Sequence, residues 1–505
     1  MTESSALADA IARSFASQQP RRAAVSPLHA LGRRQLSGWE VLGQSIATTA
    51  PAASMVLLPV AMHTNHALAS GLIVTVVATV FVTMIAWCTT QFTRRMVASG
   101  GFYTFVAKGL GTRAALTTGI AMAMKYLVSG AFSLYSGGLA VITVAEQCGV
   151  EIRGPATLVV YLVIATGILV ALLRGVRFAA VAILVIEACS LIFVVGLMVV
   201  SDADSSPVQP APDGSTGMWL PVALAAVFAL AGFESATFIA PEARRPMITV
   251  TRTVLATPII CGMLFILAGW AAWSGRADAL VGAYLHGTST GVSPVIVALL
   301  HLGMCCSWLA SAMASSNAAS RLMYSMGVEG VLPSVLGAVH RRLRTPWVAL
   351  VTAMTVLASI ALSVAVFGPR PDWLNVTLRI ALLIAYVLVA ASAVAFLARI
   401  RESTVLIAWA GGIAAGTGAA AIGFIVAGHV LDGRYGALVA VCAFPMAATL
   451  WYLHLSRVRP ASLAAVGIFD SPGSEDVLPG AGVFAENARG DVALVGVDHP
   501  GAEHR

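Results

Sequence analysis

The stretch SIATTAPAAS, residues 45–54, sits near the middle of a long apolar run, and FALAGFES, residues 228–235, sits near the middle of another. The first puts Pro51 among small and hydroxylated residues; the second brings Gly232 and the acidic Glu234 together. Both offend against the rule for a helix in lipid, because hydrocarbon cannot satisfy the peptide groups that a break sets free. Taken singly, Pro51 reads as a kink and Gly232 as a point of close packing. As a matched pair they read as two interrupted helices, the arrangement that lines a midplane binding site in transporters built from inverted repeats.

The surrounding chain supports a membrane setting. Of 505 residues, 58% are apolar or aromatic, 46 more are glycine and only 10% are charged, whereas a soluble domain carries about a quarter charged. A bilayer core takes about 20 apolar residues per helix. Twelve spans are predicted at 41–62, 71–91, 115–145, 156–173, 178–200, 220–240, 253–273, 292–323, 347–367, 373–397, 404–427 and 435–455. The two breaks fall in spans one and six. Five spans is an odd number, so a second copy of a five-span unit enters the membrane from the opposite side.

Basic residues orient the map. Arg13, Arg21, Arg22, Arg33 and Arg34 in the first 38 residues, and Arg457, Arg459, Arg489 and Arg505 after the last span, share a side with most loop Lys and Arg, including Arg94, Arg95, Arg174, Arg244, Arg321 and Arg399. The opposite loops hold Arg153, Arg276, Arg370 and Arg434. Both termini are therefore expected in the cytoplasm of a multi-pass plasma-membrane protein. The net charge of +7 is accounted for by orientation and anionic lipid without nucleic acid. Nothing before Trp39 looks like a cleavable leader, residues 1–38 read as a polar tail, and 456–505 read as disordered. Trp39, Trp219, Trp273, Trp347, Trp373 and Trp451 lie at span ends, where aromatic rings favour the interface. The seven cysteines are odd in number and, apart from Cys148, lie within spans, so they read as packing residues.

An unwound turn exposes N–H groups at the start of one half-helix and carbonyls at the end of the other, which suit a carboxylate and an ammonium respectively. The matching ligand is a zwitterion, an amino acid or a related amine.

Several stretches resemble the amino acid, polyamine and organocation superfamily of permeases. They are ASGGFYTFVAKGLG (98–111), RGVRFAA (174–180), LAGFESATFIAPEARRP (230–246) and, most specifically, SSNAASRLMYSMGVEGVLPSVLGAVHRRLRTPWVAL (315–350). Two places depart from the family pattern: TTAPAAS replaces the common Gly-Ser-Gly break, and MITVTRTV (247–254) lacks the usual Ile-Pro-Arg-Ala. The resemblance implies an all-α integral membrane protein of the LeuT type, with twelve transmembrane helices. A first five-helix repeat spans 39–200, its inverted partner 217–397, and two further helices 402–455. It implies a substrate site at Thr49, Ala50, Pro51, Ala52, Ala53 and Ser54 of span one, faced by Phe228, Ala229, Leu230, Ala231 and Gly232 of span six. Ser129 and Gly130 of span three would line the side-chain pocket, and Phe233 or Phe228 would be an aromatic lid.

Mid-membrane charge costs about 2.5–3.5 kcal/mol on insertion scales, which singles out Lys125, Glu187, Glu234 and Arg379. Glu234 lies in the break, and Glu187 resembles the span-five position where proton-coupled relatives place a titratable lysine. Either carboxyl can carry a proton, so H+ is favoured over Na+ as coupling ion; Na+ would use hydroxyls of Ser311, Ser315 and Ser316 in span eight. Lys125 is expected to face a neighbouring helix or carboxylate, and Arg379 to snorkel outward. Ion-free exchange and a nutrient sensor on a transporter scaffold are the alternatives. No HExxH or GxSxG occurs, and HTNH (63–66) reads as a solvated loop, so neither an enzyme nor a metal or cofactor is implied.

Overall fold

Apolar runs long enough to span lipid form helices because only intrahelical bonds satisfy their backbone there. The computed structural model describes residues 31, 35–200, 218–290, 292–368, 372–468, 483–486 and 492–495. Arg13, Arg21, Arg22, Arg33, Arg34, Arg370, Arg489 and Arg505, which contribute to the sequence-based orientation, lie outside them. Among the described residues, eleven helical segments are long and apolar enough to cross a membrane, with the interrupted span six in addition.

Span one is split into Gly38–Thr48 and Pro51–Thr64, and span six into Trp219–Ala229 and the short Ser235–Phe238, which runs into a 3-10 turn at Ala240–Glu242. Spans three (Thr112–Gln147) and eight (Pro294–Val328) are the longest and pack most extensively against each other; span two (Leu68–Thr93) packs closely on span seven (Pro246–Trp273). Partners five apart in sequence are thus neighbours in space, as two opposed copies of a five-span unit require. Span ten (Asp372–Arg399) and span one are the most enclosed, whereas span four (Pro155–Leu173), span eleven (Val405–Leu431) and span twelve (Gly436–Val458) turn most of their surface outward.

Contacts between connections settle which ends share a side. Leu36 donates its N–H to Glu242 O and Arg244 donates to Leu36 O; Arg399 caps Lys108 O, and Arg95 pairs with Glu402. Gly467 N–H donates to Glu329 at 2.8 Å. The entry to span one and the exits of spans two, six, eight, ten and twelve therefore lie on one face. On the other face, Met218 N–H donates to Asn65 O, and His63 Nε2 meets Asp278 Oδ1 at 2.9 Å, giving the first histidine of HTNH a carboxylate partner.

The expected map needs refinement at four places. Helices Phe102–Leu110 and Asp278–His286 occupy connections, span seven begins at Pro246, and Arg321 lies inside span eight, not in a loop. The segment read as a disordered tail contains the end of span twelve, helix Pro460–Ala465 and an antiparallel pair, Val483–Glu486 with Val492–Val495. Its first part is ordered because it docks: Gly467 N–H donates to Glu329, and Ser462 is buried.

Candidate functional site

Pro51 lacks an N–H and disfavours helical geometry at the residue before it. Ala50 accordingly stands in the left-handed region (φ 45°, ψ 58°), and the second half-helix restarts with Pro51 in its first turn. A non-glycine residue there costs roughly 1–2 kcal/mol. The surroundings maintain it: Thr48 Oγ1 and Ser235 Oγ are hydrogen-bonded to each other at 2.9 Å, and Ser45 Oγ donates to Phe233 O at 3.1 Å. Gly232 is needed for the same closeness, because a Cβ there would come within 2.9 Å of Thr49 Cγ2 and 3.0 Å of Thr48 Cβ. The two breaks touch.

Glu234, fully buried, anchors the second break. Its Oε2 accepts from Gly232 N–H at 3.0 Å and from Tyr386 OH at 3.4 Å, and its Oε1 accepts from Lys125 Nζ and Tyr126 OH, each at 3.0 Å. Lys125 thus faces a carboxylate as expected. Neighbouring helix positions diverge by about 100°, yet Lys125 and Tyr126 converge on one oxygen because the ammonium folds back over the Tyr126 ring, 4.0 Å from its centroid.

Glu187 has a different environment. Its Oε1 accepts from Ser307 Oγ at 2.9 Å and from Ala52 N–H at 3.4 Å, while Oε2 has no partner among the described residues. Ala53 N–H donates to Ser307 Oγ at 3.4 Å. The first-turn donors of the half-helix Pro51–Thr64 are therefore directed to spans five and eight.

A cavity of about 260 Å³ opens beside the breaks. Of the residues expected there, Thr49, Ala50, Ser54, Ser129, Phe228, Ala229 and Ala231 line it. Seven others do not. Ala52 and Ala53 turn toward Glu187 and Ser307; Pro51 and Leu230 are buried; Gly232 is pressed on span one; Gly130 abuts Leu357 and Ser315. Phe233 is buried between Phe102 and Tyr386, with ring centroids 6.1 and 5.7 Å away, so of the two proposed lids only Phe228 reaches the cavity. The coupling candidates Glu187 and Glu234 lie outside the lining.

Sequence reading missed Ser133, Ser136, Trp308, Asn375 and Arg379 of the lining. Ser129, Ser133 and Ser136 follow helical spacing, a signal that was available. Arg379 does not snorkel away; it is half-buried in the cavity. The proposed cation hydroxyls separate. Ser311 Oγ donates to Thr48 O and accepts from Ser133 Oγ, each at 3.2 Å; Ser315 Oγ is buried without a partner among the described residues; Ser316 Oγ donates to Ala312 O and reaches Met354 Sδ.

Ser54, Leu57 and Leu58 carry the cavity from the breaks toward Thr64, and Asn375 and Leu378 carry it toward Asp372. The opposite side is shut. Arg321 donates from Nε and Nη2 to Glu242 at 3.0 and 2.8 Å, with both side chains buried, and its Nη1 also reaches the Asn317 side chain. Gln44 Nε2 donates to Ala314 O at 2.8 Å, and Asn317 Nδ2 to Gln44 Oε1 at 3.0 Å. These bonds tie spans one and six to span eight. Neither Arg321 nor Glu242 is distinguished from flanking loop charges by sequence alone.

Residues 40–432 match the family described as amino acid permease. A transporter of Rhizobium meliloti is 28% identical over 318 residues, 59% of this chain and 66% of its own length. The branched-chain amino acid permease of Lactococcus lactis is 28% identical over 174 residues, 32% of this chain and 36% of its own. A methylthioribose transporter of Bacillus subtilis is 23% identical over 302 residues, 52% and 60% of the two chains. The matches thus span less than two thirds of each relative. A solved Na+-coupled sialic acid symporter shares 10% identity at a TM-score of 0.48, over 81% of this chain and 90% of its own.

Proposed function

The chain belongs to the amino acid permease family, and on that premise we propose that it carries an amino acid across the cytoplasmic membrane by alternating access, driven by protons. The observation that carries this reading is the contact of two broken helices at Thr48, Thr49 and Gly232 beside a cavity that combines an apolar wall with Ser129, Ser133, Ser136 and Arg379. With the Arg321–Glu242 side taken as cytoplasmic, as the basic loops suggest, the cavity faces outward. Inward opening requires that pair and the Gln44 bonds to part while the outer walls close on substrate. An amino acid cargo is favoured over a polyamine, in keeping with the named activity of the Lactococcus relative.

Glu187 is the better candidate for the coupling group. Its carboxyl has a free oxygen, touches the restart of span one through Ala52, and makes no ion pair among the described residues. A proton on or off Glu187 would change its hold on the half-helix that must move. Glu234 has its charge met by Lys125 and its oxygens occupied, which suits it to holding the break. A sodium reading draws on the buried Ser315 hydroxyl, which has no partner among the described residues, and on Ser311 beside the Thr48 carbonyl.

Uptake of radiolabelled amino acids into proteoliposomes at clamped membrane potential tests the proposal. A pH gradient, acid outside, should drive accumulation in the wild type and cease to do so in Glu187→Gln, which should retain counterflow. Accumulation that follows a sodium gradient instead would support the second reading. Ligand binding without flux or counterflow would mark a sensor.

A further inference from the structure

Five backbone donors at the two breaks are already used in this protein. Ala52 and Ala53 N–H go to Glu187 and Ser307, Ser54 N–H to Ala50 O, Ala231 N–H to Phe228 O, and Gly232 N–H to Glu234. Several hydroxyls around the cavity are committed too: Thr48 donates to Gln44 O, Thr49 to Ile46 O, Ser54 to Thr49 O, and Ser311 to Thr48 O. The breaks and these four hydroxyls therefore offer the cavity acceptor oxygens.

Arg379 stands against this background. It is the one ionised side chain lining the cavity, and among the described residues it has no ion pair and no hydrogen bond. Lys125, Glu187 and Glu234 do not line the cavity. A half-buried guanidinium is costly to leave unpaired, and its planar fork matches the two oxygens of a carboxylate. We infer that Arg379 is the residue that binds the carboxylate of the transported solute, with the amino group received by acceptor oxygens at the breaks. The inference rests on the transport reading and deepens it. It names the substrate class as solutes bearing a free carboxylate, and it makes amines, polyamines and uncharged sugar derivatives poor ligands, because each leaves the guanidinium without a counter-charge.

The test is competition on wild-type protein in proteoliposomes, using proteinogenic amino acids, their amides and decarboxylated amines, putrescine, and mono- and dicarboxylates without an amino group. Amides and amines should compete about 10- to 100-fold more weakly than the parent acid, the scale of lost charge-assisted bonds. Arg379→Gln should raise KM by a similar factor, and Arg379→Lys should recover part of it. Preference for amines or putrescine over acids, or an Arg379→Gln variant with KM within about twofold of wild type, overturns the inference. If Arg379→Gln does not assemble, the wild-type panel decides alone. Preference for carboxylates that lack an amino group would sink the amino acid reading and leave Arg379 as the anion site.

Discussion

Gly232 and Thr49 lie so close that a methyl group on the glycine would come within 2.9 Å of the Thr49 Cγ2. Thr48 and the Thr49 backbone nitrogen crowd the same position at 3.0 Å. The contact couples the two broken spans, so a movement of one must be felt by the other. Gly232→Ala should wedge them apart, lowering transport at least tenfold and destabilising the protein by roughly 1–3 kcal/mol, the usual cost of overpacking. Uptake and thermal melting in detergent check this; a variant with both unchanged would show that the contact is slack.

Ala50 adopts a backbone conformation that its side chain disfavours. Glycine relieves that strain at some cost in unfolded-state entropy. Ala50→Gly is expected to keep transport and to gain up to about 1 kcal/mol of stability, read as a higher melting temperature. A lower melting temperature would mean the left-handed turn is not adopted.

Lys125 and Glu234 form a buried ion pair between spans three and six. Removing one partner strands the other charge, at a cost of about 3–5 kcal/mol. Lys125→Met and Glu234→Gln should each lower yield and melting temperature sharply, while the double variant recovers much of the loss. A double-mutant cycle measures the coupling, and additive effects would contradict it.

Arg321 and Glu242 close the side of the protein opposite the cavity. Glu242→Gln should weaken the bolt and shift the population toward the open form on that face. A single cysteine at Ser45, in an otherwise cysteine-free protein, should then react faster with a membrane-impermeant maleimide applied from the side of the termini. Equal labelling rates in parent and variant would argue against a gate there.

Residues read from order and pattern and residues read from packing fared differently. The apolar runs and the breaks at Pro51 and Gly232 were recognisable because lipid imposes backbone rules on each segment separately, whereas Thr49, Ala50, Ser54, Ser129, Phe228, Ala229 and Ala231, which line the cavity, were expected from the family resemblance. Ala52 and Ala53 were expected at the ligand; their N–H groups are instead taken by Glu187 and Ser307, one of them a full turn from the nearest hydroxyl proposed. Phe233 and Phe228 are alike in sequence terms, and only neighbouring rings of Phe102 and Tyr386 decide which of them is sealed away.

From order alone the chain determines that it crosses a membrane many times, that spans one and six are broken, and that their surroundings suit a small polar solute. These follow from the free energy of peptide groups and apolar side chains in hydrocarbon, which acts within each segment. Which groups Glu187, Glu234 and Arg321 meet was decided by the tertiary structure. A buried charge takes its role from the partner it meets, and those partners come from as far as 152 residues away in sequence, as Tyr386 does for Glu234.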